Sequence, residues 1–231
     1  FASRAEADYL LILNNDTVCE SSFLEPLVKV AQSENNVGMI SGLICYTEDA
    51  NTIQWGGGSF NRWLTSRNTL AGKSVSICPS KISEVGFLIG CMMLIPVNVW
   101  KDVGGFDEQF FLWSEDLDLS IRTKKKCYRL LLVPTSKIFH KVSKSLGRHS
   151  PLAYYYHTRN DLLLRKKYLG RLNRIIYLLY FLCSRIARYG YFAFKGRFDL
   201  VYVGLCAIYD YFLGHTGMWS QHARISKTPL R

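Results

Sequence analysis

The run Tyr9-Leu10-Leu11-Ile12-Leu13 is uninterruptedly apolar and ends abruptly in Asn14-Asn15-Asp16-Thr17. A short unbroken apolar run has the pattern of a strand covered on both faces in a parallel sheet, and such sheets belong to α/β folds. Ligands in open α/β sheets sit beyond the carboxyl ends of the strands. The run therefore predicts that Asp16 lies at a ligand-binding edge, with Asn14 and Asn15 offering carbonyl oxygens beside it. Hard cations such as Mg²⁺ or Mn²⁺ favour oxygen ligands and diphosphate partners. Asn and Asp after a strand also serve as plain turn residues, so this segment alone leaves both roles open.

Between Gly104 and Arg122 five carboxylates, Asp107, Glu108, Glu115, Asp116 and Asp118, stand among Phe106, Phe110, Phe111 and Trp113. Large apolar side chains are seldom left in water, so the spacing predicts carboxylates held against aromatic walls. Partial desolvation moves a carboxylate's basicity toward the working pH, which suits a proton acceptor. Ser114 reads as the N-cap of a short helix with Glu115 and Asp116 in its first turn, where the helix dipole favours negative charge. Asp118 and Arg122 are four apart and can pair along one face, which makes Asp118 structural. Asp116 points away from that pair, and two roles fit it: an acidic helix start or a catalytic base.

Further elements follow from pattern. A helix is expected from a cap at Ser22 to about Ser33, with Pro26 in its first turn. Strands are expected over Val37 to Tyr46, Val85 to Pro96 and Arg129 to Val133, and a short helix over Val97 to Val103. The glycines at 56, 57 and 58 read as a flexible loop. Their spacing is not that of a phosphate-binding fingerprint, and no helix pattern follows them.

Composition limits the classes of protein this can be. With 48% hydrophobic and 14% aromatic residues, 231 residues suffice for one core, which excludes low-complexity disorder. Residues 1 to 120 hold 7 Lys/Arg against 15 Asp/Glu, and residues 121 to 231 hold 22 against 3, a net −8 followed by +19. That asymmetry points to an anionic partner for the second half. No nucleic-acid motif accompanies the charge, which ranks nucleic acid below a membrane surface. Seven scattered cysteines without a Cys-x-x-Cys pair fit neither a zinc site nor a disulfide framework, and they suit a reducing cytoplasm.

Past Pro151 the chain turns aromatic, basic and helical. The apolar runs Ile175 to Ser184 and Leu200 to Tyr209 are each about half the ~20 residues that a bilayer-crossing helix needs, so neither should span. Arg171, Arg174, Arg185 and Arg188 fall within about a third of a helix circumference and leave an apolar remainder. A basic amphipathic helix of this kind is expected to lie in a membrane interface, drawn by anionic lipid. Packing on the rest of the protein, or an oligomer contact, is the alternative.

Taken in order, these segments resemble the family 2 glycosyltransferases, in particular their rhamnosyltransferase and galactofuranosyltransferase-like branch. The Leu13-Asn14-Asn15-Asp16-Thr17 segment is similar to that family's metal-binding Asp-x-Asp motif. Gly104-Gly105-Phe106-Asp107-Glu108, followed by Phe110-Phe111 and Glu115-Asp116-Leu117-Asp118-Leu119, is similar to its acceptor-site and catalytic-base motif. Smaller matches are Phe23 to Leu27, Gly90 to Pro96, Val133-Pro134 with His140, and Tyr155 to Lys167 with Arg159-Asn160-Asp161. The resemblance covers about residues 1 to 168.

It implies an A-type glycosyltransferase fold, a Rossmann-like mixed α/β sheet followed by a C-terminal helical tail. Residues 1–150 would be a partial catalytic domain and 151–231 a basic aromatic helical region. The chain opens on the metal strand, so the first βα units, which in the family hold nucleobase and ribose, are expected to be missing. Asp16 would hold Mg²⁺ or Mn²⁺ with His140, and Asn14 and Asn15 would lie beside the donor diphosphate. Asp116 would be the general base and Glu115 would contact the acceptor. His149, His157, His215 and His222 show no ligand spacing and are taken as structural. The flexible glycines at 56 to 58 leave two readings open, a lining of the acceptor cleft or a plain loop.

The implied activity is inverting, metal-dependent transfer from a nucleotide-sugar donor to a lipid-linked or cell-envelope saccharide. It would take place on the inner face of the cell membrane, in the cytoplasm. A non-catalytic membrane- or polysaccharide-binding remnant of such an enzyme is the competing expectation.

Overall fold

A computed structural model describes residues 6–141 and 150–219. Its contacts divide the chain into two compact units, one of residues 1–107 and 116–142, the other of residues 108–115 and 143–231.

The first unit is a mixed sheet flanked by short helices. Its strands are β1 (Tyr9–Leu13), β2 (Thr17–Cys19), β3 (Val37–Tyr46), β4 (Ile53–Trp55), β5 (Gly58–Phe60), β6 (Ser66–Asn68), β7 (Ser83–Glu84), β8 (Met92–Pro96) and β9 (Arg129–His140). The main sheet runs β1-β8-β3-β9-β2, with β4 added to β3 and β7 to β9, while β5 and β6 form a separate ribbon. The expected β3 is present, and nine of its ten residues are buried. It is the inner strand that the doubly covered pattern describes, and it pairs in parallel with β9.

β1 departs from expectation. It pairs antiparallel with β8 and is only half-buried, because it lies at an end of the strand order. An apolar run of five reports a strand but not its place in the sheet. The expected strand from Val85 to Pro96 is likewise shorter, with only Met92–Pro96 pairing as β8. Residues 85 to 91 form a looped approach in which Gly86 lies against the β5 backbone, where an added Cβ would sit 2.9 Å from the Ser59 Cα.

The parallel register of β3 and β9 slips twice, first between Val37 and Met39 and again after Gly42. Gly42 faces Val133 and Leu43 faces Lys137, so Pro134, Thr135 and Ser136 bulge out. Proline cannot donate to the ladder and favours such a break. Gly42 makes room for it: a Cβ there would lie 2.3 Å from the Ser136 carbonyl oxygen. The strand then continues past its expected end at Val133 to place His140 opposite both Tyr46 and Thr17.

Helix α1 (Leu24–Ser33) starts with Pro26 in its first turn, but Phe23 holds the cap position without a side-chain bond, so Ser22 does not cap it. Helix α2 (Val97–Val103) matches expectation and ends at Gly104, whose φ of 89° suits glycine. The glycines at 56 to 58 form a packed corner and not a flexible loop. A Cβ at Gly58 would lie 2.2 Å from the Phe87 ring, and Gly57 needs φ of 102°. Helix α3 (Glu115–Lys125) follows the acidic segment.

The second unit is helical: α4 (Pro151–Tyr168), α5 (Arg171–Phe194) and α6 (Phe198–Leu213). Ser150 caps α4, its hydroxyl accepting from Ala153 N at 3.2 Å. Leu152, Tyr155, Tyr156, Val203, Ala207 and Trp219 form its core. Among the described residues, no helix is long and apolar enough to cross a membrane.

Candidate active site

The turn after β1 is set by one backbone and one side-chain hydrogen bond. Asn14 N donates to the Cys91 carbonyl at 3.1 Å, and Thr17 Oγ1 donates to the Asn14 carbonyl at 2.7 Å. β2 then pairs with the end of β9, and Lys141 N donates to the Asp16 carbonyl at 3.0 Å. This ladder fixes Asp16 against His140, with Asp16 Oδ1 3.0 Å from His140 Nε2. The other imidazole nitrogen, Nδ1, lies 2.9 Å from Gln54 Oε1. The Asn14 and Asn15 side chains are exposed beside this pair.

The donor set suits a divalent cation. With Gln54 Oε1 accepting from Nδ1–H, the lone pair of Nε2 faces a carboxylate oxygen, an arrangement that requires a proton or a metal ion between them. Imidazole and carboxylate are ligands that Mn²⁺ accepts. Among the described residues there is no cluster of three or more His, Cys, Asp or Glu able to hold a metal.

Asp116 lies in the first turn of α3, as expected, and its carboxylate has two fixed partners. Leu117 N donates to Oδ1 at 2.7 Å, and Gly90 N donates to Oδ2 at 3.3 Å. The residue keeps some exposed surface while protein atoms surround the carboxyl group. That burial raises the Asp116 pKa above the ordinary carboxylate range, and the backbone N–H groups only partly oppose it. Asp118, fully enclosed, pairs with Arg122 Nε at 2.8 Å as the spacing predicted. Arg122 also donates to the carbonyls of Val103 at 2.7 Å and Gly105 at 2.6 Å. The Asp118–Arg122 pair thus pins the Gly104–Gly105 turn, whose φ values of 89° and 66° are left-handed.

The two segments meet at neighbouring residues. Gly90 holds Asp116 through its N–H, and Cys91 holds Asn14 through its carbonyl. Burial, with a contribution from the Asp16 charge, pushes the Cys91 thiol up to about 12. A Cβ on Gly90 would find nothing within 4 Å, so the space on that side of Gly90 is open.

Glu115 opens α3 and is grouped with the second unit. Within that unit, the turn immediately before it is strained: Trp113 and Ser114 have φ of 60° and 71°, unusual for residues with a Cβ. Ser114 is therefore not in the extended conformation that an N-cap adopts. Asn160 Nδ2 donates to the carbonyls of Leu112 at 2.6 Å and Trp113 at 2.8 Å and holds the turn in place. Strain of this kind clusters at functional sites. His157 lies against Trp113, with ring centroids 4.6 Å apart, and His215 pairs with Asp210 at 3.0 Å. His149 and His222 lie outside the described residues.

Sequence reasoning missed Gln54. It is 86 residues from its imidazole partner, and no local pattern distinguishes it from any other polar residue of a short strand. The role of Gly90 was visible only as part of a resembling motif.

Known proteins identify the family and share the fold. Residues 9–215 match the model of "Glycosyl transferase family group 2". The chain is 34% identical over 86 residues to N-acetylglucosaminyl-diphospho-decaprenol L-rhamnosyltransferase of Mycobacterium tuberculosis, covering 37% of this chain and 28% of that enzyme. It is 24% identical over 179 residues to rhamnosyltransferase WbbL of Escherichia coli K12, covering 73% of this chain and 66% of that one. The chain thus spans less than a third of the mycobacterial relatives and about two thirds of WbbL. The solved structure of GalNAc-T7 with UDP, GalNAc and Mn²⁺ shares the fold, with a TM-score of 0.51 and 18% identity over 68% of this chain and 32% of that chain. A mixed sheet of this order, followed by helices and matched by the family model over nearly its whole length, shows that the chain belongs to glycosyl transferase family group 2.

Proposed function

We propose that the protein transfers a sugar from a nucleotide-sugar donor to a lipid-linked or cell-envelope saccharide, with inversion at the anomeric carbon and Asp116 as general base. The observation that supports this reading is the pair of backbone bonds at Gly90 and Cys91, which tie a desolvated carboxylate and the turn next to a carboxylate–imidazole pair to neighbouring residues of one unit. An acceptor hydroxyl beside Gly90 attacks the anomeric carbon while Asp116 takes its proton. The bond to the diphosphate oxygen breaks, and the nucleoside diphosphate leaves with the electron pair. Asp16 and His140 would hold Mn²⁺ or Mg²⁺, which when bound supplies positive charge for the departing diphosphate. Gln54 orients His140, and Asn14 and Asn15 flank the diphosphate. Glu115 contacts the acceptor. Rigid backbone holds the reacting groups, which is where positioning gives its largest rate gains.

The rhamnosyltransferase relatives make a nucleotide-linked L-rhamnose the first donor to test, with a lipid-diphosphate saccharide as acceptor. All seven cysteines are unpaired, in keeping with a reducing compartment on the cytoplasmic side of the membrane. The test is Asp116→Asn in the full-length protein. Turnover is expected to fall by about 10²–10⁴-fold while calorimetric donor binding persists. Retained turnover removes Asp116 from the role. Donor binding by the wild type without any transfer favours the non-catalytic remnant.

A further inference from the structure

Helix α5 is built the wrong way round for water. Its inward face carries charge: Arg185 Nη1 donates to the Tyr154 hydroxyl at 3.1 Å, and the Tyr177 hydroxyl donates to Asp161, which also pairs with Arg165 at 2.5 Å. Its outward face carries none. Leu172, Leu179, Ile186 and Phe194 are 70%, 60%, 75% and 84% exposed. Seven-residue steps keep the first three on one line of the helix. Helix α6 repeats the arrangement: Leu200, Val203, Ala207 and Tyr211 are buried, while Phe198, Tyr202, Leu205, Tyr209 and Phe212, at helical spacing, are each more than half exposed. Single exposed apolar residues are ordinary, but two neighbouring helices with continuous apolar outer faces mark an interaction surface.

We propose that the outer faces of α5 and α6 together form a membrane-docking surface that lies in the plane of an anionic lipid interface. On α5, polar groups turned inward and apolar ones outward is the distribution that lipid, not water, selects, and α6 adds a second apolar outer face. Neither helix can cross a bilayer, so they lie on it. The chemistry of the edges favours lipid over a second copy of the chain. α5 contains four arginines and no acidic residue, so a twofold contact between α5 helices would bring cationic edges together with no carboxylate to pair them. Phosphate headgroups supply that countercharge to Arg171, Arg188 and Lys195, and exposed Tyr180, Tyr191, Tyr202 and Tyr209 suit the headgroup depth. The arginines expected from sequence to meet headgroups are thus divided. Arg185 holds the helices together, and apolar insertion supplies most of the attachment.

This proposal does not rest on the glycosyl-transfer reading, and its test reads no activity. The full chain is floated with phosphatidylcholine vesicles containing about a third phosphatidylglycerol. It is expected to float and to stay bound when salt is raised to about 0.5 M, because exposed charges are screened there and apolar contact is not. The double variant Leu179→Glu, Leu205→Glu changes two exposed positions and is expected to lower partitioning about tenfold or more. In the wild type, vesicles are expected to shield Cys183, exposed on α5, from a maleimide while leaving exposed Cys127 reactive. Failure of the wild type to float, equal flotation of the variant, or an unshielded Cys183 would overturn the proposal. A dimer in sedimentation that the variant splits, without flotation, assigns the face to a second copy.

Discussion

Asp116, the base in the proposed reaction, is an enclosed carboxyl group whose environment dictates a pH response. A base works only when deprotonated, and burial raises its pKa. Activity should therefore fall, as pH drops, at a point above the ordinary carboxylate range, and a pH profile of kcat/KM checks this. The sign for stability follows the same shift. The folded state holds the Asp116 proton more tightly than the unfolded chain does, so this group favours folding at low pH and loses that contribution as pH rises through the raised pKa. Gln54 is the second residue with a distinct prediction. Gln54→Ala leaves Asp16 and His140 in place but frees the imidazole, and Mn²⁺ affinity measured by calorimetry should fall about 10–100-fold. Asp16 and Asp116 were legible as candidates because each breaks a pattern, one an apolar run and the other an aromatic stretch. Gln54 was not, since its meaning comes only from a strand pairing that local sequence does not encode.

Among the elements, α3 shows what periodicity reports well. Asp118 and Arg122 sit one turn apart and pair as the spacing requires, but the further contacts of Arg122 to Val103 and Gly105 join segments 17 and 19 residues away. Arg122→Ala would leave the enclosed Asp118 without its cation and the left-handed turn without its anchor. A loss of about 3–5 kcal/mol is expected, measured as a lower urea midpoint. β1 shows the opposite lesson. Its apolar run identified a strand correctly and its neighbours incorrectly, because antiparallel pairing with β8 depends on residues some eighty positions away. β9 ran longer than its pattern because Pro134 interrupts the apolar run without ending the strand. The bulge absorbs it, and the strand resumes toward His140.

For the whole molecule, the thiols provide a map of packing that needs no substrate. Cys127 and Cys183 are exposed, whereas Cys45 and Cys91 are buried with raised pKa values. In water near neutral pH, a thiol reagent read by mass spectrometry should label the first two rapidly and reach the second two only on unfolding. The division into a sheet unit and a helical unit was visible in sequence as a change of composition near Pro151. The assignment of residues 108–115 to the helical unit was not, because that short acidic and aromatic stretch packs with helices that begin some forty residues later.

The neighbouring residues Gly90 and Cys91 have a mechanical consequence. Their backbone hydrogen bonds tie the start of α3 at Asp116 and the turn after β1 to adjacent points on one approach to β8, so a change in that approach displaces both.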